Sequence, residues 1–185
     1  MVRRFAVLPP EAKKVSIVVD ASPWGAGGMI LVDGSPASWF SEKFRKADEE
    51  ALGIAFGSSD CQQVAEALAI LFALRLWFPT WADISVVLEV KSDSVTALTL
   101  VASMKATSRS MSAVAREVAL TLAESGVRPR ICSHTPGIAN KIADVLSRRF
   151  QPDTSWAIPA CLHHAKEMQL PAREKDYYRA VVPPR

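Results

Sequence analysis

Residues 15–32 read VSIVVDASPWGAGGMILV, and this stretch decides the fold class. The β-branched run 15–19 (VSIVV) predicts a strand that closes on Asp20, and the apolar run 26–32 (AGGMILV) predicts a second strand after a Pro-Trp-Gly turn. Asp33-Gly34 is a tight-turn dipeptide leading into a third strand over 37–44, so the opening reads as an antiparallel meander. Working outward, residues 61–77 predict a long helix, with Val64, Leu68, Leu71, Phe72 and Trp77 on one apolar face and Pro79 as its stop. A strand over 84–90 (ISVVLEV) runs into Asp93, with Ser92 or Asp93 as cap of a helix through Val101. A helix over 110–124 ended by Gly126, a short strand over 127–133 and a short helix over 140–148 complete the order β-β-β-α-β-α-α-β-α. Residues 44–60 read as a loop holding at most a short helical turn.

This order is an α/β fold with a five-stranded mixed sheet, three antiparallel strands followed by parallel ones, flanked by helices. The 185 residues, 49% hydrophobic, suffice for one core. The boundary falls near Arg149, because prolines at 152, 159, 171, 183 and 184 interrupt the periodicity beyond it. The expected division is therefore 1–14 as an N-terminal extension, 15–149 as the catalytic domain and 150–185 as a Pro-rich tail.

A net charge of +3 is too mild to mark a nucleic-acid binder. Cys61, Cys132 and Cys161 are too scattered for a zinc site or a disulfide framework. The N-terminal apolar stretch before Pro9 is too short for a signal peptide, and no segment reads as the roughly 20-residue apolar run of a membrane span. These features predict an intracellular chain, cytoplasmic or nuclear, neither secreted nor membrane-bound. His163-His164 lacks a third ligand, and adjacent side chains do not share a helical face.

Four acids stand at element ends or on an apolar helix: Asp20, Glu66, Asp93 and Asp144. Hydrolysis of a phosphodiester by two divalent ions requires several carboxylates to converge, and hard Mg²⁺ selects oxygen ligands. Asp20 and Asp93 end strands expected to be adjacent and parallel, and sites form at the carboxyl ends of such strands. Glu66 interrupts an Ala-rich apolar run (VAEALAIL), where an uncompensated carboxylate is costly. Each acid alone has an ordinary explanation: Asp20 and Asp93 as turn formers or caps, Glu66 as a helix-edge residue, Asp144 as a partner of Lys141 or Arg148.

The segments VVDASPWGAGGMIL, VAEALAILFALRLW, VKSDSVTAL and SHTPGIANKIADVLSRR, in that order, resemble type 1 ribonucleases H. They most resemble the domains attached to retroelement reverse transcriptases. The last segment carries most of the likeness, with His134, Pro136-Gly137, Asn140, Ala143-Asp144 and Leu146-Ser147-Arg148. The resemblance implies a ribonuclease H-like fold and cleavage of the RNA strand of RNA–DNA hybrids. It implies two Mg²⁺ ions, replaceable by Mn²⁺, on Asp20, Glu66, Asp93 and Asp144, and an adjacent polymerase domain as partner. His134 matches the family's mobile histidine, which serves product release or proton transfer. Asn140 matches a substrate-side asparagine and equally suits the N-cap of the last helix. Ser22, Gly25 and Gly27 match the first hairpin, where glycines let backbone approach the RNA 2′-hydroxyls and also make a tight turn. The chain departs from the family in a long 44–60 segment and in lacking a lysine-rich, tryptophan-bearing helix between 101 and 126. Two rival readings are a catalytically degenerate binding or structural domain, and another nuclease on the same superfold that cuts DNA.

Overall fold

The computed structural model describes residues 12–58, 61–80, 86–106, 108–127, 129, 131–135, 140–173 and 176–180. Its sheet has six strands: β1 (Lys13–Ser22), β2 (Gly25–Val32), β3 (Ser35–Lys43), β4 (Val86–Ser92), β5 (Ile131–His134) and β6 (Lys166–Glu167), in the spatial order β5-β4-β1-β2-β3-β6. The meander β1-β2-β3 is antiparallel, and Asp33 and Gly34, both with positive φ, make its second turn. β1 and β4 pair in parallel, as do β4 and β5. The register Val18↔Lys91 lies two residues before Asp20 and two before Asp93, so the paired strands deliver both acids to the same end of the sheet.

Each sheet face has its own cover. Ile17, Val19, Leu88 and Val90 pack beneath α2 (Gln62–Trp77), α3 (Val95–Ser103) and α4 (Arg109–Ser125). Val18, Met29 and Trp39, on the opposite face, pack with Ala143 and Leu146 of α5 (Lys141–Ser147) and with Leu162. Helix α2 is apolar on nearly every side, not on the single face its spacing predicts, because it lies between sheet and helices. With the 3₁₀ turn that Pro79 introduces, residues 62–80 are long and apolar enough to cross a membrane by composition alone. This corrects the expectation that no segment reaches that length; burial of most of the stretch inside the protein identifies it as a core helix.

Three local expectations change. The segment 44–60 contains a two-turn helix, α1 (Lys46–Leu52), because Asp48 accepts the Arg45 N–H at 2.8 Å and Gly53, at φ +66, terminates it. Ser94, not Ser92 or Asp93, caps α3 by accepting the Ala97 N–H at 3.2 Å. β5 is confined to 131–134; Pro129, without an N–H, precedes it. Residues 84–85 of the expected fourth strand and Pro136-Gly137 of the histidine loop lie outside the described residues.

The sixth strand comes from the chain after Arg149. β6 pairs with β3 in parallel, and the Met168 N–H donates to Trp39 O at 2.8 Å, covering an edge that would otherwise expose unpaired backbone. Leu170 and Tyr177 then join the larger core. Arg173, itself buried, donates through Nε to the fully buried Asp48 at 2.8 Å and through Nη2 to Glu42 at 2.9 Å. The Tyr178 hydroxyl donates to Asp48 at 2.5 Å. Burial still holds the Asp48 carboxyl above the usual range, with Tyr178 and Arg173 opposing. A buried carboxylate stripped of its cation is strongly destabilising. Arg173→Met should therefore cost about 3–5 kcal/mol in urea unfolding at pH 7, and adding Asp48→Asn should restore part of it. A loss within about 0.5 kcal/mol would show that Asp48 does not depend on the C-terminal segment.

Candidate active site

The four acids arrive from four elements. Asp20 lies in β1, and Asp93 directly follows β4. Glu66 stands on α2 one turn beyond Gln62, whose Nε2 donates to Ala21 O at 2.8 Å and to Glu66 Oε1 at 3.1 Å, tying the helix carboxylate to the end of β1. Asp144 stands on α5, where Arg148 Nε donates to its Oδ1 at 2.6 Å; both side chains are half-exposed, so the pair adds little stability.

The charges of the other three acids converge on Asp20. Burial pushes the Asp20 carboxyl up to about 7. The Ser147 hydroxyl, donating to Asp20 Oδ2 at 2.9 Å, opposes that shift, while the charges of Asp93, Asp144 and Glu66 add to it. Asp93 Oδ1 is buried with no hydrogen-bond partner. A mutually repelling set of oxygen donors with an unsatisfied buried oxygen fits a hard divalent cation. Among the described residues no three acidic, histidine or cysteine side chains are already gathered closely enough to hold an ion, so the other three acids stand within charge range of Asp20 and do not form a closed nest.

The remaining expected site residues are placed as follows. His134 ends β5 beside Ser92, one residue before Asp93, and is exposed. Asn140 precedes α5 but makes no side-chain cap; its Nδ2 donates to Val19 O at 3.1 Å, and its Oδ1 is buried without a partner. Ser22 is buried and donates to Ser147 O at 2.7 Å. A Cβ on Gly27 would stand 2.4 Å from Ser147 N, so glycine is required there for α5 to approach the sheet. At Gly25 a Cβ would meet Glu42 O of β3 at 2.5 Å. These three positions thus have a packing reason within the hairpin and α5. Sequence reasoning missed Gln62 and Ser147 as partners of the acids; their spacings to Glu66 and Asp144, one helical turn each, were the available signal.

Solved structures of ribonucleases H match this fold. A ribonuclease H1 isolated from compost by a metagenomic approach matches at 18% identity and a TM-score of 0.50, over 73% of this chain and 91% of that one. The N-terminal ribonuclease H domain of a Mycobacterium tuberculosis protein, solved as a fusion with maltose-binding protein, matches at 17% and 0.54, over 72% and 95%. Ribonuclease H1 of the halophilic archaeon Halobacterium salinarum matches at 15% and 0.54, over 77% and 99%. No protein-family model matches the chain, and no curated protein matches it. The fold is therefore that of the ribonuclease H-like class, a mixed sheet flanked by helices. At these identities the likeness defines the architecture, and the reaction is argued from the carboxylates.

The elevated Asp20 group has a consequence for stability. A carboxyl raised in the folded state stabilises the fold fully below its unfolded value, 3.8, and that contribution is lost as pH rises through about 7. In the absence of divalent ions, Asp20→Asn should therefore raise stability by on the order of 3 kcal/mol at pH 8, with the gain shrinking toward pH 4. Chemical denaturation at both pH values checks this. An equal effect at both would mean that ionisation of the buried Asp20 carboxyl is not its source.

Proposed function

We propose that the chain is a metal-dependent endonuclease that hydrolyses the RNA strand of RNA–DNA hybrids. The observation that carries the reading is the convergence on Asp20 of the charges of Glu66, Asp93 and Asp144, carried by three other parts of the fold. These four residues would hold two Mg²⁺ ions, or Mn²⁺ in their place, which when bound supply an activated water and stabilise the leaving oxygen. The chain's own groups prepare that site. Gln62 holds Glu66 against the end of β1, and Arg148 holds Asp144. His134, exposed at the end of β5, would move a proton at the departing product. Asn140 is fixed to β1 through Val19 O and orients the start of α5.

The biological setting in this reading is a retroelement reverse transcriptase, with the polymerase domain as neighbour and partner on the hybrid. The Ala143-Asp144 to Leu146-Ser147-Arg148 signature supports that setting. The scarcity of basic residues between 101 and 126, where only Lys105, Arg109 and Arg116 occur, supports reliance on a partner for grip.

The test is cleavage of labelled RNA–DNA hybrid, duplex DNA and duplex RNA with Mg²⁺ or Mn²⁺. Hybrid alone should be cut, and only with metal. Asp93→Asn should reduce the rate by more than a thousandfold, about 4 kcal/mol of barrier, while circular dichroism remains that of the folded protein. Undiminished cutting by that variant would overturn the carboxylate assignment, and equal cutting of duplex DNA would overturn the substrate. A folded chain that cuts nothing, alone or with added polymerase domain, would be a degenerate member of the class.

A further inference from the structure

Ser147 lies one helical turn beyond Asp144 and is fully buried. Its hydroxyl lies 2.9 Å from Asp20 Oδ2 and 2.9 Å from Asp144 O. One hydroxyl has one proton, and a carboxylate is the stronger acceptor of it.

The serine's main chain is held from three sides. Ser22 Oγ donates to Ser147 O at 2.7 Å, and Ser41 Oγ donates to Leu146 O at 2.6 Å, which satisfies carbonyls that the end of α5 would leave open. Gly27, lacking a Cβ, lets the Ser147 amide sit directly on β2. The hydroxyl therefore has no freedom to relocate.

We propose that Ser147 is a positioning residue for the metal-binding carboxylates: its buried hydroxyl fixes the rotation of Asp20 and couples β1 to α5, so that Asp20 and Asp144 meet an ion as a pre-set pair. The proposal rests on the reading that these carboxylates bind divalent ions. Ser147 engages Asp20 Oδ2 and leaves Oδ1 for the cation. Without the hydroxyl, Oδ2 is a buried acceptor with no donor, and the carboxylate is free to turn. Groups that orient a ligand in this manner characteristically change metal affinity tenfold to a hundredfold when removed.

The test is calorimetric titration of the full chain with Mn²⁺, without substrate, in wild type, Ser147→Ala, Ser147→Cys and Ser41→Ala. Ser41→Ala removes a bond to the neighbouring carbonyl and touches no carboxylate. Ser147→Ala should weaken Mn²⁺ binding by about tenfold or more, with Ser147→Cys, a weaker donor of similar shape, falling between it and wild type. Ser41→Ala should lower the melting temperature and leave Mn²⁺ affinity within about twofold. In hybrid cleavage, Ser147→Ala should raise the half-saturating metal concentration more than it lowers kcat at saturating metal. Wild-type affinity in both folded Ser147 variants, or equal weakening by Ser41→Ala, would overturn the positioning role and leave the proposed reaction standing. Failure of the wild type to bind Mn²⁺ would remove the functional reading and this one together.

Discussion

The parallel pairing of β1 with β4 is the constraint from which the rest of the site follows. It delivers Asp20 and Asp93 to the same end of the sheet, and it requires a crossover long enough to hold the other two meander strands and two helices between them. That crossover contains α2, whose nearly complete burial beneath the sheet brings Glu66 to the end of β1. The opposite face receives α5, and with it Asp144. Four carboxylates thus meet because two strands pair and two helices cover their faces.

The meeting opposes stability. Burial, and after it the charges of the other three acids, hold the carboxyl of Asp20, the most enclosed of them, well above the usual aspartate range. Hydrogen bonds from Ser147, Gln62 and Arg148 restrain the acids individually without neutralising the set. A cation is the natural complement of such a cluster, and the repulsion it would relieve is present before it arrives.

The chain after Arg149 answers a different problem. A three-strand meander ends in an exposed edge, and the helices behind it leave Asp48 and Glu42 facing inward. β6 closes the edge, Arg173 compensates the two acids, and Tyr177 fills the space beside Phe72 with ring centroids 6.2 Å apart. Arg75 binds Glu117 at 2.6 Å and the Tyr177 carbonyl, linking α2, α4 and this segment. The carboxylate end and the closing segment lie in different parts of the molecule and use opposite strategies: unbalanced charge at one, paired charge at the other.

By itself the sequence determined the meander and the core helix and singled out four acids, because β-branched runs, turn dipeptides and acids at element ends are local signals with local causes. It also determined the parallel neighbours β1 and β4, since alternating strands and helices leave few ways to pair. The sequence did not disclose α1, whose boundary depends on Asp48 and whose Asp48 depends on Arg173, far along the chain. Nor did it disclose β6, a two-residue strand with no periodicity to detect. Ser22 and Gly27 suited a turn or a substrate contact equally well until α5 was seen resting on them. Tertiary structure alone decided these points, because hydrogen bonds and close approaches between residues more than a hundred positions apart leave no pattern in either segment taken separately.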